Sequence, residues 1–338
     1  PDDFDNDGDM DLFVGIRLFP FLYGVPVNGY LLENDGYGNF SNVSGKRAPG
    51  LKEIGMITDM TWADVDNDGD SDMVIVGDWM PVKIFINDQG VFSDESERFG
   101  LSNTEGWWKK IIAKDLNKDG NVDFVLGNHG LNSRFKASAK QPATMYVNDF
   151  DLNGSVEQII CAYNGDKSYP VVMKGDLIKQ IPALGKKYKK FEDYMEQTIE
   201  DIFPDEVLQR AVKLNARVLE SCVMINTGPG YFHLNSLPVE AQFSPVYAIA
   251  ADDFDNDGIC DIVIGGNQYR AKPETGIYDA SYGLYLKGNI DETWSAVPSL
   301  ISGLFTKGEI RDLEILNIFG RRIIVVVRNN DKLEFYKY

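Results

Sequence analysis

Short apolar runs punctuate this chain, each opened by an acidic residue and closed by glycine: Leu12-Phe13-Val14-Gly15, Met73-Val74-Ile75-Val76-Gly77, Phe124-Val125-Leu126-Gly127 and Ile262-Val263-Ile264-Gly265. Runs this short, rich in β-branched residues and bounded by turn formers, predict buried strands. Strand-like segments stand ahead of three of them, at Met60–Ala63, Lys110–Ala113 and Val246–Ala250. Each pair is therefore a hairpin whose strands are separated by a polar loop.

A second phrase recurs at Tyr30–Phe40, Val82–Phe92 and Cys222–Phe232: an apolar strand, an Asn/Asp/Gly turn, then an aromatic residue. It reads as the third and fourth strands of a repeated unit. Repeats about 40 to 60 residues apart in a strand-rich chain predict propeller blades of four antiparallel strands. One stretch departs from the pattern. From Gly175 to Ser221 the apolar spacing is helical, first through Phe191, Tyr194, Met195, Ile199 and Ile202, then through Val207, Leu208, Ala211 and Val212 after Pro204. Two helices are expected there, and the basic run Lys186, Lys187, Lys189 and Lys190 reads as a solvated helix start. The fold expected is all-β: one β-propeller domain over residues 1–338, of about six (six to seven) four-stranded blades, with a small helical insertion at 175–221. The last segment, Ile310 to Tyr338, alternates like blade strands but carries Gly320-Arg321-Arg322 where the others carry acids. The chain opens inside a loop motif, so the first blade is expected to lack its opening strand and the remainder of a longer chain is an expected partner.

The hairpin loops share one grammar: acid, any, acid or Asn, any, acid or Asn, Gly, any, any, acid. Their alternating positions are Asp3, Asp5, Asp7, Asp9 and Asp11; Asp64, Asp66, Asp68, Asp70 and Asp72; Asp115, Asn117, Asp119, Asn121 and Asp123; Asp149, Asp151, Asn153, Ser155 and Glu157; and Asp253, Asp255, Asp257, Ile259 and Asp261. Oxygen ligands at alternate positions, with a glycine that lets the chain turn sharply, suit a hard cation such as Ca²⁺. Positions one, three, five and nine would offer side-chain oxygens and position seven a backbone carbonyl. An EF-hand would end in a bidentate Glu at position twelve. Here that position holds Val14, Ile75, Leu126, Ile160 and Ile264, so that kind of loop is excluded. Asn/Asp/Gly clusters also make ordinary turns, but so many carboxylates packed without a cation would repel. Up to five Ca²⁺ are expected. Loop starts are 61, 51, 34 and 104 residues apart. The gap of 34 is too short for a blade, which suggests that the loop at 149 joins the third and fourth strands of the blade begun at 109.

The net charge of −19 falls to roughly −9 once five divalent ions are counted, so much of the acidity is explained by ligation. It argues against nucleic acid as a partner, which asks for a basic stripe. Cys161, Cys222 and Cys260 are an odd, sparse set in apolar context and read as buried thiols. No run is long enough to insert in a membrane. Loops of this kind with millimolar to sub-millimolar affinity fill only outside the cytoplasm, so an extracellular or cell-surface location is expected.

With these motifs the chain resembles the FG-GAP or VCBS repeat family, the integrin-α-type β-propeller in which such loops bind calcium between strands. More narrowly, Gly127–Phe135 and Tyr278–Gly283 resemble the C-terminal propeller of bacterial surface proteins of the ASPIC and UnbV type. The resemblance implies a scaffold and little chemistry.

In four-stranded antiparallel blades the acid loops and short turns share one face, and the longer connections lie on the other. These connections carry Arg17, Tyr23, Trp79, Trp107, Trp108, His129, Arg134, Tyr269, Arg270 and Tyr278. Long loops on a rigid scaffold often carry function. Aromatic faces beside Arg would suit stacking on a glycan or gripping a protein, whereas the same residues could simply pack the loops down. The sequence holds two histidines, His129 and His233, and no Gly-x-Ser-x-Gly or His-Glu-x-x-His. A calcium-stabilised, non-enzymatic extracellular binding or adhesion propeller is the reading. The alternatives are a carbohydrate-binding, lectin-like module and, more remotely, a polysaccharide lyase or hydrolase on the same scaffold.

Overall fold

A computed structural model describes residues 1–228, 230–272 and 275–338. Pro229, which falls within the third recurring phrase Cys222–Phe232, and Pro273 and Glu274 lie outside the described residues. The chain is all-β with a few short helices, and among the described residues its strands form six antiparallel sheets. The first sheet holds Leu12–Gly15, Gly29–Asn34 and Phe40–Asn42. The second holds Met56–Ala63, Asp72–Met80, Lys83–Asp88 and Val91–Asp94, with Gly106–Trp107 pairing onto the end of Asp72–Met80. The third is built from Lys110–Lys114, Asp123–Gly127, Cys222–Asn226 and Phe232–Ser236. The fourth holds Val246–Asp252, Asp261–Gly266, Leu284–Gly288 and Trp294–Val297, and the fifth Ile310–Ile318, Arg321–Arg328 and Glu334–Lys337.

The unbroken apolar runs follow from how these sheets stack. Side chains alternate between the faces of a strand, and here both faces are covered. Met73 and Ile75 enter a core shared with Phe4 and Leu31 of the first repeat, whereas Val74 and Val76 enter one shared with Ile111 and Phe124 of the third sheet. Val125 and Val223 then meet Ile249 and Ile262 of the fourth sheet, and Val263 meets Leu313 and Val326 of the fifth. The five sheets thus stand in a row, first to fifth, each packed face to face on the next, as blades would be.

The sixth sheet corrects two expectations. Strands Ala143–Asn148, Glu157–Asn164, Lys167–Pro170 and Val212–Ala216 form a separate sheet inserted between the second and third strands of the third sheet. The loop at 149 therefore joins two strands of this inserted sheet. It is not the third-to-fourth-strand hairpin of the blade begun at 109, because Phe124 pairs with Met224 and leaves that place to Cys222–Ser236. The insertion is also larger and less helical than expected from 175–221. It carries four short helices, Lys174–Gln180, Leu184–Lys187, Ile199–Ile202 and Asp205–Leu208, instead of two. Thr198 and Asp201 form a capping box that starts a new helix there, which divides the helical-looking run, and Phe191 and Met195 stay exposed. The buried Leu177, Leu184, Ile199 and Ile202 cover Tyr146 and Ile159 of the inserted sheet.

Glycine decides one strand end. A Cβ on Gly266 would lie 1.7 Å from the Pro245 carbonyl oxygen, next to the register shift between Val246 and Ala248. Since that neighbour is backbone, Gly266→Ala is expected to cost about 3 kcal/mol or more, read as a fall in denaturation midpoint. An unchanged midpoint would contradict this packing.

Candidate metal centre

The acid loops draw on one common set of hydrogen bonds, and these show why the grammar has its spacing. The position-one carboxylate caps the turn: Asp3 accepts the N–H groups of Asp7 and Gly8 at 3.0 Å each, and Asp64 those of Asp68 and Gly69 at 3.1 and 3.0 Å. Asp149 does the same for Asn153 and Gly154, while Asp115 and Asp253 accept from Gly120 and Gly258. The position-five side chain accepts the N–H of position seven, as Asp68 does from Asp70 at 2.9 Å. The glycine at position six has φ between +88° and +98° in all five loops, a region that other residues rarely enter. Position two is apolar because it is the loop's anchor: Phe4, Val65, Leu116, Phe150 and Phe254 are all buried.

Position nine ties the loop to its sheet. Asp72 accepts the N–H of Val65 at 2.8 Å and, from the next hairpin, that of Asn87 at 2.7 Å. Asp11, Asp123 and Asp261 repeat both bonds, to Phe4 and Asn34, Leu116 and Asn226, and Phe254 and Gly288. Glu157 repeats the first, to Phe150.

Carboxylates left over from this scaffolding converge. Oxygens of Asp3, Asp5 and Asp11 lie within 4.8 Å of one another, and so do those of Asp64, Asp66 and Asp72, of Asp149, Asp151 and Glu157, and of Asp253, Asp255 and Asp261. The loop at 115 forms no such trio of acids, since Asn117 stands at position three. Buried carboxylate oxygens of Asp5, Asp9, Asp115, Asp151 and Asp253 have no hydrogen-bond partner. An unpaired buried anion is costly, and the titration behaviour agrees. Burial, then neighbouring carboxylates, raise Asp5, Asp9 and Asp66 above the usual carboxylate range. Burial also carries Asp72 up to about 7 and Asp123 up to about 6, against backbone N–H bonds that pull them down. An all-oxygen set of converging acids, buried at position nine and carrying unpaired oxygens, fits a hard divalent cation. The residues that could hold one are positions one, three, five and nine through side chains, and position seven through its carbonyl, the only group Ile259 can offer.

The sequence reading missed position four. Asn6, Lys118, Asn67, Leu152 and Asn256 all have φ near +60°, which Asn tolerates best. In the row of sheets this residue reaches the neighbouring loop. Asn6 Nδ2 donates to Asp70 Oδ1 at 3.1 Å, Asn67 Nδ2 to Asn121 Oδ1 at 3.0 Å, and Lys118 Nζ to the Gly258 carbonyl at 2.6 Å. Asn256 Oδ1 accepts from Arg322, which stands where the fifth sheet has no acid loop and also pairs with Asp252 at 2.9 Å. The four loops of the row therefore lie side by side on one face. Leu152, in the inserted sheet, is 70% exposed instead. Basic residues touch two loops: Arg47 pairs with Asp5 at 2.9 Å, and Lys287 pairs with Asp255 and with Asp257, the latter at 2.6 Å.

The proposed ligand face is mostly packing. Trp108 is fully buried, donating its indole N–H to the Thr104 carbonyl, and Trp79 donates to the Tyr23 hydroxyl at 3.0 Å. Trp107 sits among Trp79, His129 and Phe135 with ring centroids 4.8 to 4.9 Å apart, and Tyr278 packs edge-on against His129. Burial, then Lys109, pull the His129 imidazole down to about 3, so it stays neutral. The expectation that Trp79, Trp107, Trp108, His129 and Tyr278 present faces to a ligand is corrected: remote loops converge and bury them. Arg17 is bound to buried Asp78 at 2.7 Å. Arg134, Tyr269 and Arg270 remain exposed. The cysteines are free and buried, as read.

Residues 3–75 and 64–126 match the FG-GAP-like repeat, a stretch that contains three of the acid loops and supports an FG-GAP β-propeller type. No curated protein matches the chain. Among solved structures it is similar to one described as the structural basis of specific recognition of non-reducing terminal N-acetylglucosamine by an Agrocybe aegerita lectin. That structure is 14% identical, the match covers 91% of this chain and 74% of the other, and the TM-score is 0.28. A likeness of that degree carries no argument about this chain's ligand.

Proposed function

We propose that this chain is a calcium-stabilised, non-enzymatic binding or adhesion domain, its sheets acting as the blades of an FG-GAP-type propeller of a bacterial surface or secreted protein. The observation that carries the calcium reading is the set of buried carboxylate oxygens without partners, repeated in loop after loop on one scaffold. Calcium held there fixes each hairpin, since binding to a formed site adds to folding free energy. Position-four side chains then link neighbouring loops into one rigid face. Loops of this class in extracellular modules bind at about 10⁻⁴ to 10⁻³ M, and an affinity in that range supports the reading of an extracellular or cell-surface location. Among the described residues no helix is long and apolar enough to cross a membrane. The non-enzymatic reading is supported by the buried, neutral His129 and by the engagement of the clustered acids in the loops.

The test is binding to a glycan array and to surface-protein extracts in millimolar calcium, alongside an assay for release of reducing or unsaturated ends from acidic polysaccharides. Retention in calcium that EDTA abolishes, with no product, is expected. Polysaccharide cleavage that buried-core variants abolish would overturn the non-enzymatic reading.

A further inference from the structure

A cleft of about 470 Å³ opens between the inserted sheet and two long connections of the third and fourth sheets. Its wall is apolar: Ile160 comes from strand Glu157–Asn164, Val172 and Met173 lead from Lys167–Pro170 into the helix at 174, and Phe135 closes the far side. Gln158, Gln180 and Thr275 add neutral polar groups to this wall, and a cleft of this size that mixes an apolar surface with polar groups is of the kind that holds small ligands.

Among its described lining residues the cleft carries two cations and one acid, in an acidic protein. Arg134 and Lys272 line it, and among the described residues neither pairs with a carboxylate. Asp176, the acid of the lining, is engaged by Lys179 at 2.9 Å. Arg134 is positioned: its Nη2 donates to the Val171 carbonyl at 2.7 Å and its guanidinium lies 5.7 Å from the Phe135 ring centroid. A guanidinium has five donors in a planar fork, so one such bond leaves others suited to a carboxylate. Phe135 is itself fixed from behind, edge-on to Trp107 at 4.9 Å and to His129 at 6.2 Å. In that backing layer the buried Trp107 Nε1 and His129 Nε2 have no hydrogen-bond partner. The floor is thus a rigid aromatic stack with its charge at the rim.

We infer that this cleft is a ligand site for an amphipathic anion, with an apolar group against Phe135, Ile160, Val172 and Met173 and a carboxylate on Arg134 and Lys272. The inference deepens the binding-domain reading and rests on it. The chain as a whole carries a net charge of −19, so selection of an anion here depends on this local reversal of charge. The carboxylate could belong to a small free acid or to an acidic residue next to an apolar one in a partner chain. The chemistry is the same in both.

The experiment is ligand-observed NMR titration of the calcium-loaded chain with 3-phenylpropionate, with 3-phenylpropan-1-ol, and with the peptide amide N-acetyl-Phe-Asp-NH₂. A charge-assisted contact predicts the acid binding about tenfold more tightly than the alcohol. Arg134→Gln, at an exposed position, removes that preference, and Ile160→Trp, which fills the cleft, removes binding of both. Tighter binding of the peptide than of the free acid assigns the site to a polypeptide partner, and the reverse assigns it to a small molecule. Either result supports the site. Equal binding of acid and alcohol, no binding of any probe, or an Arg134→Gln variant that keeps the preference would overturn it. Calcium-dependent melting of the same variants is read in parallel, so failure of the cleft is distinguished from failure of the calcium scaffold.

Discussion

Chelation of divalent cations with EDTA is expected to lower the melting temperature of this chain by about 10 °C or more relative to millimolar calcium. A ligand bound only by the native state adds about 1.4 kcal/mol per site when its free concentration is ten times the dissociation constant, as millimolar calcium is for a site of about 10⁻⁴ M. Four such sites would add about 6 kcal/mol, comparable to the 5–15 kcal/mol of a typical domain, and a shift of 2–4 °C accompanies each kcal/mol in chains of about 200 residues. The acids are also worse than neutral without an ion, because partnerless oxygens of Asp5, Asp115, Asp151 and Asp253 remain buried beside like charges. Asp66→Ala is expected to remove part of the calcium response while leaving the others. Coincident melts in EDTA and calcium would mean that the backbone N–H groups alone satisfy these loops.

Asp78 should be the most sensitive charge outside the loops. It lies at the far end of the strand Asp72–Met80 from the acid loop, 1% exposed, and pairs with Arg17 at 2.7 Å and with Lys109. Burial alone would push its carboxyl up, but Lys109 and then Arg17 outweigh this and hold it below the usual range. The group therefore joins the second sheet to the connection after the first and to the entry of the third. Removing one member of a buried pair strands the other, at about 3–5 kcal/mol. Asp78→Asn keeps the shape and loses the charge, so it is expected to cost about that much in a denaturant titration, since Lys109 is 10% exposed. Arg17→Ala should cost about 1 kcal/mol, because Arg17 is half exposed and Lys109 still pairs with the acid. An Asp78→Asn variant as stable as the parent would show that the cations relax into solvent.

What could be read from the chain was what is local. A loop's capping bonds, anchor and convergent acids fall within nine residues, so Asp64 to Asp72 carry the whole arrangement in their order. The strands of the row announce themselves because both faces of Met73–Val76 are covered. The inserted sheet did not, since its pairing brings Thr144 to Asn215, 71 residues away, and the third sheet joins Asp123 to Asn226 across 103. No periodicity reports partners so distant. The aromatic connections failed for a related reason. Trp107 and His129 have the composition of a binding surface, and only the meeting of loops from three sheets decides that they are buried. Asn6 and Asn67 stand at a position the loop grammar leaves open, and their reach to the next loop depends on how neighbouring sheets stand.

The most direct measurement is a calorimetric calcium titration of the EDTA-stripped and dialysed chain. Four sites in the loops beginning at 3, 64, 149 and 253, each with three converging acids, and a weaker fifth at 115, where Asn117 replaces an acid, are what the geometry predicts. A stoichiometry of four to five with Asp66→Ala and Asp255→Ala each removing one site would agree. No saturable binding at millimolar calcium, in a chain shown to be folded, would contradict the account.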